Sequence, residues 1–189
     1  MPSRISDAEC PPEQVSEVLE VLDRDDDAGL DRLDVLLRDY ALDPRLHFLR
    51  GSILAGQKRY EAAIVAIARA VEIAPSFTTA RFQLGLLHFT SGDAETAEGV
   101  WAPLLDLPAD DPLNLFVTGL NTLARDAWRE AVALIERGIG LNTQNPPLNA
   151  SMRMLVDEVR AKFEGQGSAE AVSAAHLLLQ RYDLPGTKH

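Results

Sequence analysis

From residue 12 to near the C-terminus, apolar residues recur at three- and four-residue intervals, the spacing that lines one face of an α-helix. Short breaks holding Asp, Gly or Pro interrupt the pattern, where helices start and stop. It predicts helices over 13–23, 28–41, 45–57, 60–73, 78–91, 94–106, 113–125, 128–141, 147–164 and 168–183. No stretch alternates with the period of two that a strand needs, so the chain is expected to be all-α. Residues 1–11 are polar and run into Pro11-Pro12, which reads as a disordered tail.

A longer period lies over the helical one. Gly51, Gly85 and Gly119 stand 34 residues apart, and Ala63, Ala97 and Ala131 follow them at a constant offset of 12. Ile67, Trp101 and Ile135 come four residues after each alanine. Self-similarity of this length marks a stacked array of helical hairpins. Within each hairpin the glycine admits the opposing helix, the alanine faces it, and the larger residue fills the space beside them.

Leu84-Gly85, Gly92, Ala97 and Trp101 in one unit resemble the tetratricopeptide repeat (TPR), as do Gly51, Tyr60, Ala63, Ala70 and Pro75 in the unit before it. Gly119, Trp128, Ala131 and Ile135 carry the resemblance into a third. Arg50 and Thr118 replace the leucine before the glycine, and Gly138 replaces an alanine. The resemblance implies a right-handed superhelix of three repeats, 44–77, 78–111 and 112–145. Residues 12–43 are expected to form an N-terminal capping helix pair. Residues 146–184 are expected to cap the other end, with Leu148, Met152, Leu155, Val159 and Phe163 as one apolar stripe.

The resemblance also places the first helix of each unit along a concave groove. Phe48, Phe82 and Phe116 sit three residues before the glycines, with Ser52, Leu86 and Leu120 one after. Phe89 and Leu123 lie one turn further on, and Ala55 holds that place in the first unit. Phe48, Ser52, Phe82, Leu86, Phe89, Phe116, Leu120 and Leu123 are therefore the expected partner-binding residues. The family's carboxylate clamp would need cations and amides where this chain has Phe48, Ser52, Gln83, Leu113 and Val117, so an acidic-tail ligand is not expected.

Charge narrows the partner. The chain has 18 basic and 29 acidic residues, a net charge of −11, which repels phosphate backbones and anionic lipid. Nucleic acid and direct membrane insertion are not expected. The first ten residues lack a signal-peptide core, and Cys10 is the single cysteine, so no internal disulfide can form and a cytoplasmic setting fits. Cys10 itself reads as a tail residue of no consequence.

Asp23, Asp25, Asp27, Asp31 and Asp34 have the outline of a calcium loop, but Ala28 stands where the turn needs Gly and no bidentate Glu closes it. Capping of the next helix explains the run equally well. His47, His88, His176 and His189 lack ligand spacing. Phosphate loops, dinucleotide glycine patterns and nucleophile elbows are missing. The expectation is a non-enzyme without catalytic residues, cofactor or metal. It binds another protein or peptide through an apolar or amphipathic segment, as an adaptor or chaperone. Two alternatives remain: a homo-oligomeric scaffold, or a regulatory subunit of a separate enzyme. The groove could also be filled by residues 1–14 or by the C-terminal helix.

Overall fold

The computed structural model describes residues 9–164. They form α1 (Pro12–Leu22), α2 (Asp26–Asp39), α3 (Pro44–Gly56), α4 (Tyr60–Ile73), α5 (Thr78–Thr90), α6 (Ala94–Trp101), a 3-10 helix η1 (Ala102–Asp106), α7 (Pro112–Ala124), α8 (Trp128–Leu141) and α9 (Pro146–Glu164). No strand occurs among the described residues, so the all-α expectation holds there. The helix expected over 168–183 lies outside them, as does the greater part of the expected tail.

The helix boundaries follow from local chemistry. Asp25, Asp43, Asp93 and Asp111 cap α2, α3, α6 and α7, each accepting a backbone N–H of the first turn. Pro44 and Pro112 then occupy first-turn positions where no N–H is needed. The acidic run is thereby accounted for by a cap, since Asp25 Oδ1 accepts from Asp27 and Ala28 at 2.9 and 3.0 Å.

One helix is shorter than expected. The α-helix predicted over 94–106 stops at Trp101 and tightens into η1. Pro103 has no N–H for the α-helical bond and its ring crowds the preceding turn.

The chain divides into two compact units between Arg81 and Phe82. In the first, α3 and α4 make the most extensive helix pair. A Cβ on Gly51 would strike the Ile67 side chain and lie 3.0 Å from the Ala63 carbonyl oxygen. Leu33, Leu46, Leu54 and Ile67 are fully buried here. In the second unit α7 and α8 pair likewise. A Cβ on Gly119 would lie 2.7 Å from Ile135 Cγ1 and 3.1 Å from the Ala131 carbonyl oxygen. At Gly85 it would overlap the Trp101 indole. The expected hairpin register is present, but the bulky residue, not the alanine methyl, presses hardest on each glycine.

Gly138 has its own reason. A Cβ there would come within 2.7 Å of the Phe116 ring, so the departure from alanine makes room for that phenylalanine.

The tail expectation needs correction at its end. Cys10 is 1% exposed, and its N–H donates to the Asp43 carboxylate at 2.8 Å. A polar sequence before a proline pair carried no sign of this docking, because its partner lies 33 residues on.

Candidate functional site

The eight residues expected to face a groove separate sharply. Phe82, Leu86, Phe89, Phe116, Leu120 and Leu123 are each 5% exposed or less, within the core of the second unit. The Phe82 ring lies 6.0 Å from Trp101 and 6.1 Å from Phe116, and Phe89 lies 5.8 Å from Trp101. Trp101 Nε1 donates to the Phe82 carbonyl oxygen at 3.0 Å, so the indole is satisfied inside the cluster. Met152, Leu155, Val156 and Val159 of α9 belong to the same core. The expectation that these six present an open apolar surface is therefore corrected: the spacing that puts them on one helical face is equally the spacing of a core stripe.

Phe48 and Ser52 are different. Both are partly exposed on α3. The Phe48 ring packs at 5.1 Å and 56° against Phe77, which is also partly exposed. Ser52 Oγ donates to the Phe48 carbonyl oxygen at 2.9 Å, so its hydroxyl is occupied locally. Arg50, also on α3, pairs with Asp34 of α2 at 2.7 Å. The first unit thus offers a small aromatic patch flanked by charge.

A second concavity was not foreseen. Glu136, Ile139 and Gly140 of α8 and Arg153, Val156, Asp157 and Arg160 of α9 line an open cleft of about 350 Å³. Arg160 pairs with Glu136 across it at 2.9 Å. Of these, Arg153 stands 34 residues after Gly119, where each preceding repeat has glycine. α9 also runs for 19 residues where α3, α5 and α7 have 13.

Among the described residues, no group of three His, Cys, Asp or Glu side chains is placed to hold a metal. No described helix is long and apolar enough to cross a membrane. His47 bonds to the Ala41 carbonyl oxygen at 2.9 Å, and His88 lies 3.7 Å from the Asp93 carboxylate.

Comparison with known proteins agrees with the repeat. A tetratricopeptide-repeat model matches residues 44–77. No curated protein matches the chain in sequence. Among solved structures, the chain is similar to a crystal structure of MamA, with TM-score 0.55 and 16% identity, covering 71% of this chain and 81% of that one. It is also similar to MamA 41-end from Desulfovibrio magneticus RS-1 and to a MamA RS-1 double mutant. Both have TM-score 0.57, at 15% and 14% identity, covering 82% of this chain and 96% of theirs. At that identity the likeness is one of fold. Repeat and fold together support a protein-interaction or scaffold module.

Proposed function

We infer, for a chain that is a tetratricopeptide-repeat protein in its matched repeat and its fold, that it is a non-catalytic binding module holding an apolar or amphipathic segment of another protein. Phe48 and Ser52 on α3, beside Phe77, are its contact point. The observation that carries this reading is the partly exposed Phe48–Phe77 pair, in the repeat that matches the family model. Exposed aromatic pairs anchor partners well, because a phenylalanine gains roughly 1.5–3 kcal/mol on full burial. The net charge of −11 favours basic residues on the polar side of the bound segment and disfavours nucleic acid. A cytoplasmic location and an adaptor or chaperone role go with this reading, and the α1–α2 pair and α9 act as caps of the repeat array.

The test is capture from native extract followed by mass identification, with wild type and Phe48→Asp compared. The variant loses the partner while its melting changes little. Retention of the same partner by Phe48→Asp overturns the assignment of the site. Light scattering runs beside it: a wild-type oligomer that Phe48→Asp dissolves identifies the partner as a second copy of this chain.

A further inference from the structure

The described residues begin close to the Phe48–Phe77 pair. Glu9 lies 3.6 Å from Arg45 Nη1, and the N–H of Cys10 donates to Asp43, the cap of α3, at 2.8 Å. Arg45 and Phe48 stand three residues apart on α3, which is about 4.5 Å along the axis and about 60° around it. Residues 1–8 are therefore tethered within one helical turn of the partly exposed Phe48 ring. An extended chain gains at most about 3.3–3.6 Å per residue, so the four steps from Glu9 back to Ile5 span up to about 13 Å. That reach takes Ile5 to Phe48 and to Phe77, whose ring lies 5.1 Å from it.

The chemistry of the tethered residues matches the site. Met1, Pro2 and Ile5 are apolar and Arg4 is basic, which is the character inferred above for a bound segment of another protein. We propose that residues 1–8 are an intramolecular cover for the patch: Ile5 packs on the Phe48 and Phe77 rings, and a partner segment must displace it. The proposal rests on the reading of Phe48 and Phe77 as the contact point. A short tether holds its end near the site at an effective concentration on the order of millimolar. A contact of only millimolar strength is then about half occupied, and it lowers a partner's apparent affinity about twofold. Such a cover excludes weak, non-matching segments and yields to one with more apolar anchors.

The test uses the full-length protein with p-benzoylphenylalanine in place of Ile5. After irradiation and trypsin, the cross-link should join position 5 to the peptide 46–50, which carries Phe48, or to 70–81, which carries Phe77. It should lie within one chain, with a yield unchanged on tenfold dilution. In parallel, Ile5→Asp should raise the fluorescence of added anilinonaphthalene sulfonate about twofold, and combining it with Phe48→Ala should remove the rise. Absence of both cross-linked peptides overturns the cover. So does a yield that falls on dilution, which would put the segment of a second copy on the patch, or a dye signal that survives Phe48→Ala. Capture by wild type and Phe48→Asp reads the contact point and the cross-link reads the cover, so the two fail separately.

Discussion

Phe48 and Phe82 occupy the same place in consecutive repeats, three residues before Gly51 and Gly85, and their surroundings differ. Around Phe48 the same helical face carries Ser52 and Ala55, and the residue pressed on Gly51 is Ile67. Around Phe82 that face carries Leu86 and Phe89, and the residue pressed on Gly85 is Trp101. The first phenylalanine is left with one aromatic neighbour at its rim, Phe77, while the second sits between Trp101 and Phe116. Equivalent backbone positions thus take different roles, partly exposed and core, according to the side chains that other elements pack against them. A repeat period fixes where a residue stands on its helix. It does not fix whether water reaches it.

The sharpest break of this comparison is to charge both rings. Phe82→Asp puts an unpaired carboxylate among Trp101, Phe116 and Leu86 and should lower stability by about 4 kcal/mol or more, enough to melt the second unit. Phe48→Asp leaves its carboxylate access to water and should cost about 1 kcal/mol. Circular dichroism melts of the two variants decide it. Equal losses would place both rings in core and remove the proposed contact point.

Glycines supply the next contrast. Gly85→Leu drives a side chain into the Trp101 indole and should cost about 1–3 kcal/mol through overpacking. Gly140, also helical, faces open space with nothing within 4 Å of an added Cβ. Gly140→Ala should therefore raise stability by about 0.5–1 kcal/mol through helix propensity alone. A destabilising Gly140→Ala would mean that the cleft between α8 and α9 is filled in solution.

These contrasts show how far the chain can be read by eye. The hairpin register was legible because Gly51, Gly85 and Gly119 need empty space, and only glycine provides it, so the requirement is written at a fixed interval. The groove was not legible. Phe82, Leu86 and Phe89 satisfy the spacing of a binding face and of a core stripe equally. The choice rests on Trp101, Phe116 and the α9 residues, which come from other elements. The Cys10 contact was hidden for the same reason: it depends on Asp43 and Arg45, not on the polarity of the residues around Cys10. Arg153 shows only that the glycine period ends with the third repeat.

Acid should act on the first unit through Asp43. Burial alone would raise its carboxyl, but hydrogen bonds from the Arg45 side chain and from the Cys10 and Arg45 N–H groups, with the Arg45 charge, outweigh this and hold it below the ordinary range. A carboxyl depressed on folding contributes stability above its unfolded value near 4, lost as pH falls through its lower folded value. The melting difference between wild type and Asp43→Asn should therefore be full at neutral pH, about 1–2 kcal/mol, and shrink as pH drops past about 4. A difference that is flat from neutral to strongly acidic pH would deny Asp43 its charge in the contact with Cys10 and Arg45.

The smallest expected effect tests what the repeats share. Lys58, Gly92 and Asp126 stand 34 residues apart and all have left-handed φ, at 60°, 86° and 61°. Each is followed by a residue whose N–H reaches back five positions: Arg59 to the Leu54 carbonyl, Asp93 to His88, and Ala127 to Thr122. This is the Schellman closure of a helix C-terminus, and it favours glycine at the left-handed position. A β-carbon there costs on the order of 1 kcal/mol, while glycine adds some entropy to the unfolded chain, so Lys58→Gly should stabilise by about 0.5 kcal/mol. Asp126→Gly should gain less, since a short acidic side chain tolerates the conformation better than lysine does. Denaturant melts of the two variants rank them. If Lys58→Gly lowers stability, the turn in the first repeat is held by the lysine side chain, and this turn, shared by all three repeats, is not purely a backbone device.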